Sequence, residues 1–269
     1  YYIGDYFQEL FSPLYPVVMP GVKKLWTYGE TGFHSLTAAV VRESYHREAL
    51  ANAFRILGEG QLTLTKFLIV TDQTIELTEF RTLLECVLER FEPETDLIII
   101  NETAADTLDY TGKRLNHGSK AIMLGIGAKK KALPTQYLYT AHMNWSAKPF
   151  CAGCLVLQAP SYKTDPEFAG FVLKTAATDP ELQKWPLIVL VDDLELATTQ
   201  TGFLWQVFTR FDPAQDIFAN FIVQNHKLVY RGPVIIDARM KPGYPKEVEV
   251  DPQTRELVDK RWKEYKIAL

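Results

Sequence analysis

Acidic side chains follow two apolar runs that have the length of strands. Asp72 comes directly after Phe67–Thr71, and Asp192 and Asp193 come directly after Leu187–Val191. In an open α/β sheet, ligands bind at the edge formed by the carboxyl ends of the strands, so these carboxylates could be acids or hydrogen-bond acceptors at a pocket rim. An Asp in this place can also cap the helix that follows the strand. The pattern favours capping and leaves the pocket role open.

Cysteine and histidine offer limited chemistry. Cys151 and Cys154 have the spacing of a redox pair or of half a zinc site, but Cys86 is too distant to form part of a second pair. The pair also falls within an apolar run predicted to be a strand, whereas redox cysteines begin helices, so a structural role is favoured. The five histidines lack the spacing of metal ligands. His34 follows a glycine-marked loop and either faces a ligand or is a solvated loop residue.

Two glycine-containing segments carry lysines that could cradle a phosphate through backbone amides. These segments are Gly118–Lys120 and Gly125–Lys131. Neither matches a P-loop or a dinucleotide fingerprint, which speaks against a nucleotide-binding enzyme. The run Lys129–Lys131 is predicted to be a solvated turn.

The elements that must position these side chains alternate between short β-branched runs and stretches of helical period. This pattern is typical of crossover units that feed a largely parallel sheet, and it predicts a layered α/β/α fold with mostly parallel sheets. The predicted strands are 36–41, 67–71, 97–100, 154–157 and 187–191. The predicted helices are 5–15, 47–58, 77–91, 166–177, 199–211 and 255–267.

The two halves of the chain repeat the same order of predicted strands, helices and short motifs, which predicts an internal duplication. Phe67–Asp72 aligns with Leu187–Asp192, and Arg90–Asp96 aligns with Arg210–Asp216 in the same register. Further along, Gly125–Lys129 is echoed by Ile235–Arg239 after a shorter connection. The predicted units are residues 1–30 as an N-terminal helix and linker, 31–135 and 136–245 as two α/β repeats, and 246–269 as a tail helix. The tail helix is expected to dock on its own domain or on another subunit, and its own domain is favoured.

Composition excludes several classes of protein. A length of 269 residues with 47% hydrophobic residues is enough for a sizeable core. No apolar stretch approaches the roughly 20 residues that cross a bilayer. A net charge of −4 with scattered signs argues against nucleic-acid binding. Three cysteines favour a reducing, cytoplasmic setting.

Because the chain opens at Tyr1 without an initiator Met, we expect a longer polypeptide to precede it.

Several motifs, in order and spacing, resemble the C-terminal region of the UbiD family of decarboxylases. They are Glu30–His34, Thr65–Asp72, Arg90–Asp96 and Asn101–Asp109. The resemblance covers roughly residues 1–131. Ile236–Lys241 is similar to the closing glycine–isoleucine–aspartate–alanine signature of the family, although Gly127 replaces the usual aspartate in the first repeat.

The resemblance implies a C-terminal part of a non-oxidative carboxy-lyase that acts on an aromatic acid in ubiquinone or menaquinone biosynthesis. The cofactor would be prenylated FMN, made by a flavin prenyltransferase, with a divalent metal and potassium. A domain preceding this chain would hold that cofactor, and residues 1–30 would lead out of it. The family's catalytic Arg–Glu–acid trio also lies there, so no catalytic, cofactor-binding or metal-binding residue is expected in this chain, which alone should be inactive.

The resemblance also implies candidates for lining the substrate pocket. The family's counterpart of Ala105–Asp109 approaches the flavin domain, which makes Thr107, Leu108 and Asp109 candidates. His34 is added to them because of its place after the glycine-marked loop. Leu108 is the strongest of them. A homo-oligomer is expected. The competing hypothesis is a non-catalytic binding or oligomerisation module in which the duplicated sheets hold partner subunits.

Overall fold

The computed structural model describes residues 2–138, 145–246, 248 and 250–265. Within these ranges, each half of the chain folds into a five-stranded sheet flanked by helices. The strands are β1 (Val22–Thr27), β2 (Leu36–Val41), β3 (Phe67–Thr71), β4 (Leu97–Ala104), β5 (His117–Gly125), β6 (Ala147–Cys151), β7 (Cys154–Gln158), β8 (Leu187–Val191), β9 (Ile217–Gln224) and β10 (Lys227–Asp237). The helices are α1 (Tyr2–Phe11), α2 (Tyr15–Val18), α3 (Glu48–Leu57), α4 (Phe80–Leu88), α5 (Pro93–Asp96), α6 (Phe168–Ala176), α7 (Gln200–Phe208), α8 (Pro213–Asp216) and α9 (Pro252–Arg261).

The two sheets have the same strand order. The first runs β1-β2-β3-β5-β4 and the second runs β6-β7-β8-β10-β9. In both, the three central strands are parallel and both edge strands are antiparallel to their neighbours. The predicted α/β architecture is confirmed, with mixed sheets whose parallel part is central. The matching order supports the duplication.

Strand pairing corrects one detail of the predicted duplication. Val70 pairs with Leu124 in the first sheet, and Leu190 pairs with Asp237 in the second. Gly125 therefore corresponds to Ala238, three residues beyond the Ile235 that the sequence alignment matched to it. The connection between β4 and β5 spans residues 105–116, whereas Asn225 and His226 alone join β9 to β10. The shorter connection that the sequence predicted at this place is confirmed, and only the match of Gly125 changes, by three residues.

Three hydrophobic cores hold the layers together. The largest lies between the two sheets, where α4 and α7 pack side by side and Phe67, Phe80, Phe208 and Phe211 contact one another across the repeats. A second core lies between the first sheet and α3, and a third between the second sheet and α6. Helices thus cover both faces of each sheet, which explains why every residue of β2, β3 and β8 is buried.

The N-terminal segment differs from the single helix predicted over 5–15. Helix α1 ends at Phe11 and a 3₁₀ turn follows, because Pro13 has no N–H to continue the helical ladder. β1, inside the stretch assigned to a helix and linker, pairs with β2 as an edge strand of the first sheet. The side-chain oxygen of Gln8 accepts the Thr27 amide hydrogen at 2.6 Å and so ties α1 to this strand.

The tail helix begins earlier than predicted, at Pro252, where the Asp251 carboxylate accepts the Thr254 amide hydrogen at 2.8 Å. No described residue of α9 is buried, so α9 does not dock into the cores of this chain as the sequence favoured. Residues 266–269, at the predicted end of this helix, lie outside the described ranges. No described helix is long and apolar enough to cross a membrane.

Candidate functional site

The main candidate site lies where two long loops of the first repeat meet. The loops at 28–35 and 105–116 lead into β2 and β5, and because β2, β3 and β5 run parallel, both loops lie at the amino ends of these strands. They enclose a cleft of about 340 Å³. The lining residues are Glu30, Thr31, Gly32, His34, Ser35, Leu64, Asp106, Leu108, Asp109, Tyr110, Trp205 and Thr209.

Three of the four predicted pocket residues line this cleft. His34, Leu108 and Asp109 are brought together in it, although His34 is distant from the other two in sequence. Thr107 is not among the lining residues; its hydroxyl donates to the Asn116 side-chain oxygen at 2.8 Å and braces the base of the loop. Leu108 is 85% exposed, which is unusual for a leucine on a well-tethered loop. Its position suits contact with a surface outside this chain.

One tether of the loop is the Asp106 carboxylate. It contacts Nδ1 of His34 and accepts the Leu108 amide hydrogen at 2.8 Å. Burial favours the neutral acid, but the hydrogen bond from Leu108 and the contact with His34 outweigh it and lower the pKa of Asp106 below its usual value. Asp106 is therefore an anion that fixes both loops. The sequence did not single it out, although it immediately precedes the predicted Thr107–Asp109 segment.

The second tether is a buried ion pair at the base of the cleft. Lys66 Nζ lies 3.0 Å from Asp109 Oδ2, with 4% and 8% of the two side chains exposed. Thr111 donates its amide and hydroxyl hydrogens to Asp109 at 2.9 and 2.6 Å. Burial favours protonation of Asp109, but Lys66 and Thr111 more than offset it and lower the pKa of Asp109. The Lys66 ammonium also lies 5.6 Å from the centre of the Phe211 ring.

A second lysine lies buried beside this pair. Lys120 Nζ donates to the Thr65 carbonyl at 2.9 Å, and burial lowers the pKa of Lys120 to about 8, against the opposing attraction of Asp109. Its neighbour Ser119 donates its hydroxyl to Asp212 at 2.7 Å. The Ser119 amide also donates to Asp212, at 3.1 Å, so neither this amide nor the Lys120 ammonium is free to cradle a phosphate as considered for Gly118–Lys120.

The part of the chain that contains the cleft loops is similar to a known protein domain. Residues 1–125 match the family model described as the 3-octaprenyl-4-hydroxybenzoate carboxy-lyase C-terminal domain. Residues 1–125, called the UbiD domain below, are therefore similar to the C-terminal domain of the UbiD family. The cleft loops, including His34 and Leu108, lie within this UbiD domain.

Curated relatives extend the similarity over both repeats. The chain is 51% identical over 98% of its length to a protein of Chlamydia pneumoniae that is named as a subunit of 4-hydroxybenzoate decarboxylase, and it covers 45% of that protein. An uncharacterised protein of Chlamydia trachomatis is 49% identical over the same share of each chain. The chain thus spans about half the length of these relatives, which carry the second repeat as well as the UbiD domain.

Solved structures show lower similarity. The vanillic acid decarboxylase of Sedimentibacter hydroxybenzoicus, in its open form, gives a TM-score of 0.40 at 19% identity, covering 49% of this chain and 29% of that one. The UbiD-class enzyme HmfF of Pelotomaculum thermopropionicum, in complex with FMN, gives a TM-score of 0.39 at 14% identity, covering 51% and 30%.

The acidic residues that follow the strands lie at the opposite, carboxyl edge of the sheets, away from the cleft of the UbiD domain. The Asp72 carboxylate accepts the Gly127 amide hydrogen at 3.1 Å, and Asp192 accepts the Met240 amide hydrogen at 2.7 Å. The prediction that Asp72 and Asp192 cap the following helices is therefore wrong. Each of these carboxylates instead ties its strand to the segment that follows the neighbouring strand. Asp193 does cap a short turn, because it accepts the Leu196 amide hydrogen at 3.0 Å.

The remaining candidates outside the UbiD cleft have structural partners. Cys151 and Cys154 face each other across the β6–β7 hairpin, so the pair flanks a turn and does not lie inside one strand as predicted. Gly153 makes this turn with φ of 79°. Lys129, Lys130 and Lys131 each pair with a carboxylate. His142 lies outside the described residues.

Removing the Asp106 charge is expected to loosen the UbiD loop without unfolding the chain. In Asp106→Asn, the charge-assisted bond to the Leu108 amide weakens, so that amide should exchange its hydrogen about tenfold faster, as measured by hydrogen–deuterium exchange. Asp193→Asn is the matched control, because Asp193 holds a comparable amide at the opposite edge. Equal exchange at Leu108 in Asp106→Asn and the parent would show that Asp106 does not hold the loop.

Proposed function

We propose that the full-length protein is a prenylated-flavin-dependent, non-oxidative decarboxylase of an aromatic acid in ubiquinone or menaquinone biosynthesis. The observation that carries this proposal is the 51% identity, over both repeats, to the chlamydial protein named as a 4-hydroxybenzoate decarboxylase subunit. The UbiD match of residues 1–125 supports the same reaction class. Because this chain spans 45% of that relative, its proposed role is to supply the part that covers the active site.

The cofactor would be bound by a part of the protein outside this chain. In the part of the chain that the structure describes, no three His, Cys, Asp or Glu side chains converge to hold a metal ion. The three lysines beside Gly127 are already paired with Glu89, Asp96 and Glu92. The proposal therefore assigns these residues no step in the chemistry of the flavin and leaves its binding to a part of the protein outside this chain.

The contribution of this chain to the reaction would be positioning and exclusion of water. Asp106 and Asp109 fix the loop at two points, so Leu108 is presented in a defined place although its side chain is exposed. An aromatic ring placed against Leu108 would lose water on that face. Pre-formed contacts of this kind help to hold a substrate in a reactive orientation.

Shortening Leu108 should weaken catalysis by the full-length enzyme. Leu108→Ala removes most of an apolar contact that is worth about 1.5–3 kcal/mol when fully buried. We therefore expect kcat/KM for CO2 release to fall about tenfold. Leu115→Ala is the matched control, since Leu115 is an exposed leucine of the same loop that does not line the cleft.

The whole proposal is tested by making the full-length protein together with a flavin prenyltransferase. The purified protein should carry the absorbance of the modified flavin and release CO2 from an aromatic acid such as 4-hydroxybenzoate. A colourless and inert protein would favour the alternative, a binding or oligomerisation module. That alternative draws support from α1, whose Ile3, Tyr6, Phe7 and Leu10 are exposed large hydrophobic residues. A defined homo-oligomer in solution is compatible with both.

A further inference from the structure

The cleft of the UbiD domain has a wall that belongs to the second repeat. Trp205 lies in α7, and Thr209 is the first residue after this helix. Both line the cleft beside His34, Leu108 and Asp109. The first repeat has Glu85 and Glu89 in the corresponding places of α4, by the register that matches Arg90 with Arg210. At these two positions the second repeat has an aromatic ring and a small side chain, whereas the first repeat has two carboxylates.

The counterpart of this cleft in the second repeat is closed. There the turn between β6 and β7 consists of Ala152 and Gly153, and it packs directly on α4. Glu85 accepts the Ala152 amide hydrogen at 2.9 Å. The Arg81 guanidinium donates to the Phe150 and Thr198 carbonyls and lies 4.2 Å from the centre of the Phe150 ring. The first repeat therefore leaves room for a ligand, because its 28–35 loop is longer than the two-residue turn at Ala152 and Gly153.

The Trp205 ring is held firmly in this wall. The Arg210 guanidinium carbon lies 4.6 Å from the centre of the ring, and Arg210 is itself buried and paired with Asp192 at 3.2 Å. Thr209 donates its hydroxyl to the Trp205 carbonyl at 2.6 Å, so its hydroxyl hydrogen is already used. This side of the cleft can therefore contact a ligand mainly through apolar surface, together with Leu64.

The opposite wall of the cleft is acidic. Glu30, Asp106 and Asp109 line it; because Lys66 compensates the charge of Asp109, the negative charge of this wall comes from Glu30 and from Asp106, which contacts His34. Such a wall repels a carboxylate and accepts hydrogen bonds from hydroxyl groups. A volume of about 340 Å³ falls within the range of small-molecule sites, roughly 300–1,000 Å³.

We propose that this cleft binds the ring end of the aromatic acid, remote from its carboxylate, and that Trp205 of the second repeat is the residue that determines which ring substituents fit. The inference rests on the proposed function and adds to it a role for the duplication. The added repeat supplies a rigid aromatic wall to the cleft of the first repeat, so substrate choice lies in the repeat whose own counterpart of the cleft is closed.

The test compares full-length Trp205→Ala and Trp205→Phe with the parent on 4-hydroxybenzoates that carry hydrogen, methyl, propyl or a longer alkyl group at the 3-position. The ratio of kcat/KM between the most and least substituted acid should change about tenfold in Trp205→Ala and less in Trp205→Phe. Trp145→Phe is the matched control, because Trp145 packs on Phe168 and Phe171, which flank the other face of the second sheet. Its ratio should remain that of the parent.

Binding of the same acids, followed by ligand-observed NMR, separates the two proposals. If CO2 is released but the ratio is unchanged in folded Trp205→Ala and Trp205→Phe, the decarboxylase function stands and the role of Trp205 is overturned. If no CO2 is released but binding depends on Trp205, the cleft stands and the decarboxylase function falls. Failure of the parent to bind any of the acids overturns the inference. If Trp205→Ala does not fold, Trp205→Phe decides, and a ratio equal to that of the parent overturns the inference.

Discussion

Replacing Asp109 with asparagine is expected to destabilise this chain by about 3 kcal/mol at neutral pH, since removing one partner of a buried ion pair leaves the other charge uncompensated. The charge left behind is Lys66, which is 4% exposed and lies next to the buried Lys120. Lys66 would keep its hydrogen bond to the Thr111 hydroxyl, at 3.3 Å, and its contact with Phe211, so the expected value is at the lower end of the range for such substitutions. Urea unfolding measures the effect.

The double variant Lys66→Met/Asp109→Asn is the control for this prediction. The double variant no longer carries a cation at position 66 without its carboxylate, so it should be more stable than Asp109→Asn alone. A double variant that is as unstable as the sum of both single variants would show that the two side chains do not act as a pair.

The effect of Asp109→Asn should also depend on pH in a defined direction. The pKa of Asp109 is lower in the folded chain than in the unfolded chain. Its stabilising contribution is therefore present above the unfolded value, about 3.9, and is lost as the pH falls through the folded pKa. The difference between parent and variant should be largest near pH 7 and should shrink at pH 3.

Much of the fold could be predicted because local pattern and burial agree. The run Leu187–Val191 is a strand with the predicted bounds, and Leu36–Val41 is another, since both are continuous apolar runs buried on two faces. Strands β1, β5, β6, β9 and β10 were not predicted. β1 contains Lys23 and Lys24 and so lacks a continuous apolar pattern, while three of the eight residues of β9 are exposed and none is buried.

The candidate site could be predicted only in part, because its members are joined by tertiary contacts. Leu108 and Asp109 were found through the family resemblance, and His34 through its place after a glycine-marked loop. Trp205 was not found, since nothing in its local sequence indicates that α7 packs against a loop of the other repeat. The same limit explains Asp72, whose strand-end position suggested a cap or a pocket rim, while its actual partner is the amide of Gly127.

Replacing Asp216 is expected to change the stability of the chain in the opposite direction to replacing Asp109. It is buried at the end of α8, and burial outweighs the attraction of Lys241, 3.3 Å away, so the pKa of Asp216 is raised to about 6. An acid whose folded pKa exceeds its unfolded value, about 3.9, destabilises the folded chain when it ionises. The chain should therefore lose stability, about 2–3 kcal/mol from this group, as the pH rises from about 4 to about 6.

Asp216→Asn should remove this loss and stabilise the chain by about 1–2 kcal/mol at pH 7.5, with little gain at pH 4. Lys241 would keep its hydrogen bonds to the carbonyls of Arg210 and Asp237, at 3.1 and 2.8 Å, so it does not become an isolated cation. Urea unfolding at the two pH values measures the difference.

The duplication supplies the matched control, because Asp96 occupies the place of Asp216 in the first repeat. Asp96 is equally buried but has two cations, Arg47 at 2.8 Å and Lys130 at 3.1 Å, where Asp216 has one. Asp96→Asn breaks both pairs and should destabilise the chain at pH 7.5. The same substitution at related positions should thus act in opposite directions. Destabilisation by both variants at pH 7.5 would mean that Lys241 offsets the burial of Asp216 after all.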